Sequence, residues 1–299
     1  MYLESLNTTI AFWSILEHHA LALRPIYDKM KVQGKDVVAL FNHPKKELLP
    51  YSCIVTGTAS NIPQAKRLNT IYHFHSLAPH HASPREADYK WVPFFKGVMF
   101  PGEWWVDKWP KKPEHWAVVG WSKNDLLQPR TDSEPTVLYA SSMFNRQRMK
   151  TLRSLISLSR KMSFKLIVKP HYGIKAWFPQ QLKDMAALVH LEESAADIAA
   201  YFHLADALVS ESSGTLWEFM ATGRPSIQMK QGEDRGRRIY PGGLLRATFE
   251  TLEATLRTTF ETPEVISSEI ALWRERIMGE LDGKATDRAI AFIEKVFNE

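Results

Sequence analysis

Cys53 is the only cysteine among 299 residues. An internal disulfide is impossible, a cysteine-ligated zinc site is excluded, and the usage fits a reducing compartment. No apolar run nears the roughly 20 residues that a membrane-crossing helix needs. The N-terminus lacks the basic, apolar and small-residue order of a secretory signal, so none is expected. There are no internal repeats and no low-complexity tracts. The basic residues form no long stripe and no nucleic-acid motif, so nucleic acid is not an expected partner. Positive charge is in moderate excess, with 38 Lys and Arg against 33 Asp and Glu for a net charge of +5. Such a surplus fits anionic small molecules or an acidic membrane surface.

Against these absences, 44% of the residues are hydrophobic, and the length suits two domains with a core each. Short apolar runs alternate with helical spacing. Strands are expected at 8–14, 36–41, 52–56, 70–75, 98–100 and 117–119, with a helix over 16–32 that ends at Gly34. The polar segment Asn124 to Pro135, with two prolines, reads as a linker. The pattern then restarts, with strands at 136–140, 164–168, 189–191, 207–209 and 226–229. Helices are expected over 146–161, 176–188, 197–204, 215–222, 251–260 and 269–297. The expected fold is α/β, with two Rossmann-like doubly wound domains facing a cleft and C-terminal helices packing back on the first domain. The boundaries are residues 1–126, residues 134–265 and a helical segment 266–299. Ligands of such sheets bind at the carboxyl ends of the strands.

The most informative stretch runs from Ala207 to Pro225. It reads as a strand end, a Ser/Gly turn over Glu211, Ser212, Ser213 and Gly214, and a helix from Thr215 that Gly223 closes and Pro225 stops. Free N–H groups and the dipole at such a helix start suit a phosphate or diphosphate. The plainer alternative is that Ser212 or Ser213 only caps its own helix.

Other chemistry-bearing residues cluster at expected strand ends. Lys169 and His171, spaced by Pro170, follow one strand. The lysine offers a fixed charge to phosphate oxygens, and the histidine a hydrogen bond or a proton. His18 and His19 follow the first strand. His73 and His75 would share one strand face, with His80 and His81 close behind. Zinc could be held by these four, but no Asp, Glu or Cys has metal spacing nearby, so a catalytic base is the better reading. Six tryptophans crowd residues 91–121 (Trp91, Trp104, Trp105, Trp109, Trp116 and Trp121). They read as packing of a long loop with little regular structure, mostly buried in the first domain. The loop from Gln231, with Arg237 and Arg238, could hold an anionic acceptor or be a solvated surface.

In order and spacing these motifs resemble the CDP-glycerol glycerophosphotransferase family, the teichoic-acid-type polymerases and primases of GT-B fold. His75-Ser76 stands where that family has His-Gly, and Val118 to Asp125 resembles its Gly-x-Pro-x-x-Asp segment. Val137-Leu138-Tyr139-Ala140 matches its Leu-Tyr-Ala strand, and Lys169-Pro170-His171-Tyr172 its Lys-Pro-His-Pro. Ser210 to Gly214, with Glu218-Phe219 and Gly223-Arg224-Pro225, resembles its Thr-Asp-Tyr-Ser-Ser segment and the Gly-Lys-Pro that follows. The resemblance implies a transferase that moves a polyol-phosphate group from a CDP-activated donor to a hydroxyl of a cell-surface glycan or its lipid-linked precursor. It implies His75 as the base. Lys169, His171, Ser212, Ser213, Gly214 and Thr215 would lie on the donor phosphates, and Glu218 on the ribose. His18, His19, Arg237 and Arg238 are acceptor candidates. No cofactor and no metal are expected. The expected location is cytoplasmic, at the inner face of the membrane, with peripheral membrane contact. Two alternatives stand beside this. One is a GT-B nucleotide-sugar enzyme, a glycosyltransferase or UDP-N-acetylglucosamine 2-epimerase-like protein. The other is a non-catalytic nucleotide-binding module.

Overall fold

A computed structural model describes residues 9–41, 43–44, 48, 50–58, 62–78, 92–109, 111–130, 134–141, 146–171, 179–192, 197–211, 213–230, 242–262 and 264–299. The chain divides into two compact α/β units. One comprises residues 1–126 with 275–299, and the other residues 127–274.

The first unit is built on a six-stranded parallel sheet of order β2-β1-β3-β4-β5-β6. Its strands are β1 (Ile10–Ser14), β2 (Val37–Phe41), β3 (Cys53–Thr56), β4 (Thr70–His73), β5 (Gly97–Phe100) and β6 (His115–Val118). The inner strands β3, β4 and β5 are buried almost throughout, as parallel strands covered on both faces must be. Helix α1 (Glu17–Val32) carries Glu17 in its first turn and Lys29 and Lys31 in its last, each favourable to the helix dipole. Gly34, at φ +74°, turns the chain out of α1.

The end of the chain completes this unit. Helix α8 (Ala285–Asn298) buries Ala289, Ile290, Phe292, Ile293 and Val296 in one cluster with Phe12, Leu23, Ile26, Val55, Ile71 and Met99. Each large apolar side chain so buried contributes about 1.5–3 kcal/mol. Asp125 fixes the start of α8, accepting from the backbone N–H groups of Ala285 at 3.1 Å and Thr286 at 2.7 Å. The tryptophan segment also differs from the expected loop. It contains a short helix, α2 (Glu103–Lys108), and Trp104, Trp105, Trp109 and Trp121 are buried while Trp116 is 45% exposed. Trp91 lies outside the described residues. Gly102 precedes α2 because a Cβ there would collide with the carbonyl oxygens of Arg276 and Ile277. The Trp105 indole donates to that Ile277 carbonyl at 2.8 Å.

The second unit holds a five-stranded parallel sheet of order β11-β10-β9-β7-β8. Its strands are β7 (Thr136–Tyr139), β8 (Lys165–Val168), β9 (Ala207–Ser210), β10 (Ser226–Met229) and β11 (Leu244–Ala247). Its helices are α3 (Arg146–Met162), α4 (Pro179–Ala186), α5 (Thr215–Phe219), α6 (Leu252–Glu261) and α7 (Glu264–Met278), whose last turn falls in the first unit. A separate core gathers Val137, Tyr139, Leu152, Leu155, Val168, Val209, Ile227 and Leu256. Several elements depart from expectation. The helix expected over 215–222 is α5 followed by a 3₁₀ turn, Met220–Thr222, and residues 197–204 form a 3₁₀ segment from Ile198. The strand expected at 189–191 is a single bridge from Leu191 to Val168. The helix expected over 269–297 breaks between α7 and α8, at Gly279 and Gly283, both with positive φ. Among the described residues no helix is long and apolar enough to cross a membrane.

Both sheets share one topology. In each, the second strand lies outside the first and the third lies on the first strand's other side. The chain changes direction between β1 and β3 in one unit and between β7 and β9 in the other. Ligands of open α/β sheets bind beyond the strand ends at such switch points.

Candidate functional site

In the first unit the switch point gathers three histidines. His18 and His19 open α1 just past β1, Gly57 and Thr58 follow β3, and His75 follows β4. His75 Nδ1 donates to the Gly57 carbonyl at 2.7 Å. A carbonyl only accepts, so in the neutral ring Nε2 carries the lone pair. His19 Nδ1 lies 2.7 Å from the Thr58 hydroxyl, and the Thr58 N–H donates to the Thr56 hydroxyl. The rings of His19 and His75 lie 3.8 Å apart, centroid to centroid, and those of His18 and His19 4.2 Å apart. Gly57 permits this closeness, since a Cβ there would sit 3.0 Å from the His19 carbonyl oxygen and 3.4 Å from the His75 Cβ. Burial, then the neighbouring His75 and His18, push the His19 pKa far below the usual imidazole range, so its ring is neutral at pH 7. One potential ligand atom from each of His18, His19 and His75 lies within 4.8 Å of the other two, so the trio also offers nitrogen donors of the kind a transition metal takes.

His73 does not share a face with His75. Strand β4 ends at His73, so the period-two alternation does not reach residue 75. His73 is 1% exposed, stacks on Trp121 at 5.5 Å, and burial lowers its pKa to about 4. It is a core residue. His80 and His81 lie outside the described residues.

In the second unit the ends of β7, β8 and β9 are tied together. Lys169 N–H donates to the Tyr139 carbonyl at 3.0 Å, Ala140 N–H to the Val209 carbonyl at 3.0 Å, and the Ser210 hydroxyl to the Ala140 carbonyl at 2.5 Å. Lys169 is 7% exposed and His171 half-buried beside it. The His171 pKa falls to about 4, first through burial, then through the cations Lys169 and Arg148. Beyond β9 the Ser213 hydroxyl accepts from the Thr215 N–H at 3.3 Å and the Thr215 hydroxyl at 2.9 Å. Ser213 therefore caps the start of α5, and α5 has only five residues, so its dipole is small. Gly214 is buried and Glu218 is 6% exposed within α5. Ser212, Tyr172, Arg237 and Arg238 lie outside the described residues.

A group that carried no role in the sequence reading stands at the same switch point. Glu211 is buried at the end of β9. It accepts from the Tyr139 hydroxyl at 2.7 Å, and its other oxygen lies 3.7 Å from Arg148 Nε. Burial raises the Glu211 pKa, opposed by Tyr139, Arg148 and Thr151. The available signal was positional, since Arg148 falls in the first turn of the helix that follows β7.

With this geometry, the chain has the fold of a wall teichoic acid polymerase. The polymerase TagF superposes with a TM-score of 0.70 at 12% identity, over 99% of this chain and 91% of that one. A TagF variant with a histidine replaced by asparagine, soaked with CDPG, gives 0.70 at 15% identity over 99% and 90%. A Listeria monocytogenes protein named as a UDP-N-acetylglucosamine 2-epimerase gives 0.65 at 10% identity, over 95% of each chain. S. aureus MnaA with UDP gives 0.63 at 11% identity, over 97% of this chain and 96% of that one. No protein-family model and no curated protein sequence matches the chain. The architecture is thus the α/β arrangement of GT-B transferases and epimerases, with two parallel sheets.

Proposed function

We propose that this chain is a transferase that moves a polyol-phosphate group from a CDP-activated donor to an acceptor hydroxyl of a glycan or its lipid-linked precursor. The observation that carries the reading is the Lys169-Pro170-His171 segment beside the β7–β9 switch point, in a chain with the fold of a polymerase soaked with CDPG. In the proposed step the acceptor oxygen attacks the phosphorus that bears the polyol. A phosphorus–oxygen bond to the acceptor forms, the bond to the bridging oxygen breaks, and CMP leaves with the electron pair. His75 Nε2 takes the acceptor proton, because its Nδ1–H is committed to Gly57. Lys169 and His171 hold the donor phosphates, with Ser212, Ser213, Gly214 and Thr215 on the same anion and Glu218 on the ribose. His18, His19, Arg237 and Arg238 serve the acceptor. Preorganised donors of this kind are commonly worth about 2–4 kcal/mol each.

The domain limits proposed are 1–126, 134–265 and 266–299, with the first region serving the acceptor and the second the donor. The proposed location is cytoplasmic, at the inner membrane face. Phe94 is 50% exposed with Lys111 Nζ 5.0 Å from its ring centroid, and exposed Trp116 carries Lys112 at 5.6 Å. Aromatic and basic residues together suit an anionic lipid surface. A second reading, a nucleotide-sugar enzyme, is favoured by the likeness to MnaA with UDP, and would place attack at a sugar carbon.

The test is a single-turnover panel of CDP-glycerol, CDP-ribitol and UDP-N-acetylglucosamine, with CMP or UDP release measured on anionic vesicles and without them. CMP release from a CDP-polyol supports the reading, and it should persist in the presence of a chelator. Turnover of the UDP-sugar alone replaces it with the second reading. Binding without turnover of any donor leaves a nucleotide-binding module.

A further inference from the structure

A single general base needs one imidazole, yet three are packed together at the switch point of the first unit. Ring centroids are 4.2 Å apart for His18 and His19, 3.8 Å for His19 and His75, and 5.4 Å for His18 and His75. One ring nitrogen from each lies within 4.8 Å of the other two. Three imidazole nitrogens on one zinc ion stand about 3.3 Å apart, at Zn–N distances of about 2.0–2.1 Å, so rotation about the side-chain bonds closes the set. His18 and His19 are consecutive in the first turn of α1, and His75 follows β4. Gly57 lies against both, since a Cβ there would sit 3.4 Å from the His75 Cβ and 3.5 Å from the His19 Cβ.

The outer partners have the pattern of a metal site. A ligating histidine is oriented by donating its other ring N–H to a backbone carbonyl, a carboxylate or water. His75 Nδ1 donates to the Gly57 carbonyl at 2.7 Å, which makes Nε2 its ligand atom. His19 Nδ1 lies 2.7 Å from the Thr58 hydroxyl, an oxygen that accepts from the Nδ1–H tautomer. Thr58 is 1% exposed, and its backbone N–H is fixed to the Thr56 hydroxyl at 2.9 Å. Among the described residues no Asp, Glu or Cys joins the three. An all-imidazole set suits zinc, copper or nickel, whereas magnesium and calcium take oxygen. His19 is buried while His18 and His75 are half-buried, so the group is open to solvent on one side.

We propose that His18, His19 and His75 form a binding site for a divalent transition metal of the zinc and cobalt kind, with three protein nitrogens and the remaining position open to solvent. Its consequence for turnover rests on the reading of His75 as the base. An ion on His75 Nε2 takes the lone pair that receives the acceptor proton, so the metal-bound chain is held inactive and a chelator restores it.

The experiment measures zinc binding to the full chain by calorimetry, and cobalt(II) binding by visible absorption, where low-coordinate nitrogen ligation gives stronger bands than aqueous cobalt. The native chain should bind one equivalent of either ion, with zinc displacing cobalt. His19→Ala should weaken zinc binding by about 100-fold or more, and Thr58→Val, which keeps the shape and removes the outer acceptor, by about 10- to 100-fold. His190→Ala, at an exposed histidine of the second unit, should change nothing. A native chain that binds neither ion stoichiometrically overturns the assignment. So does native zinc affinity in folded His19→Ala. If His19→Ala does not fold, native affinity in both His18→Ala and Thr58→Val overturns it. Histidine-dependent zinc binding that leaves CMP release unchanged upholds the site and takes His75 out of the base role. A chain that turns over no donor removes the transferase reading, and the site then stands or falls on the binding measurements alone.

Discussion

In the proposed step His75 serves proton transfer and His171 donor binding, and the two stand at switch points of different units. His75→Ala removes the proposed base and should cut turnover by about 100- to 10,000-fold while donor affinity stays near native. His171→Ala should lower both, since a hydrogen bond to a charged phosphate contributes roughly 1.5–3 kcal/mol. Single-turnover rates beside nucleotide titrations read the two effects apart. Full activity in His75→Ala would move the base to His18 or His19, the rings packed on it, and not to His73, which belongs to the core. His73 has its own consequence. Its pKa near 4 lies below the ordinary 6.5, so the unfolded chain binds the proton more readily between those values. The native state is therefore fully favoured above pH 6.5 and loses stability as pH falls toward 4, by about 3 kcal/mol from this residue. Replacing His73 with Phe should flatten that part of the stability–pH curve measured by urea unfolding. An unchanged slope would show that another group carries the acid sensitivity.

At the scale of elements, the buried parallel strands were legible because they are apolar on both faces. Strand β10 runs over the residues that the pattern predicts, and β1, β2, β3 and β7 lie within theirs. Strand β11 was missed because it is a sheet edge, with Arg246 exposed and only Ala247 buried. Helix α2 was missed because a single turn and a half of Trp-rich sequence carries no periodicity. His73 and His75 were grouped by alternation, yet the strand stops between them. The Arg148, Glu211 and Tyr139 group was invisible for a different reason. Tyr139 and Glu211 are 72 residues apart, and only the strand order brings them together. Capping is another long-range effect, since Asp125 lies in the segment read as a linker and caps a helix 160 residues on. Asp125→Ala leaves two helix N–H groups without that acceptor and should destabilise the first unit by about 1–2 kcal/mol. A thermal melt should fall by about 3–6 °C, and Asp125→Asn should fall less, since an amide oxygen still accepts. Equal melting of Asp125→Ala and the native chain would mean that water replaces the carboxylate at no loss.

For the molecule as a whole, the path of the chain matters more than its length. The second unit is one continuous piece, residues 127–274, with its own core and a complete five-stranded sheet. The first unit is assembled from both ends of the chain. Helix α1 covers only part of its sheet and α8 completes the cover, because Ile290, Phe292, Ile293 and Val296 pack with Leu23 and Ile26 of α1 in the cluster of Phe12, Val55, Ile71 and Met99. Exposing that face would uncover several side chains worth about 1.5–3 kcal/mol each, which is comparable with the whole stability of an ordinary domain. Arg288 adds a hydrogen bond to the Val119 carbonyl at 3.0 Å, and Lys29 and Lys35 pair with Asp287 and Glu294. The surface pairs add little, so the apolar face of α8 decides the outcome. A fragment of residues 127–274 should therefore fold alone and melt cooperatively. A fragment of residues 1–126 should not, but should gain cooperative melting when a peptide of residues 275–299 is added. Circular dichroism melts of the two fragments, with and without that peptide, make the comparison. Cooperative melting of residues 1–126 without the peptide would show that the N-terminal sheet is covered well enough by α1 and α2, and would reduce α8 to an accessory.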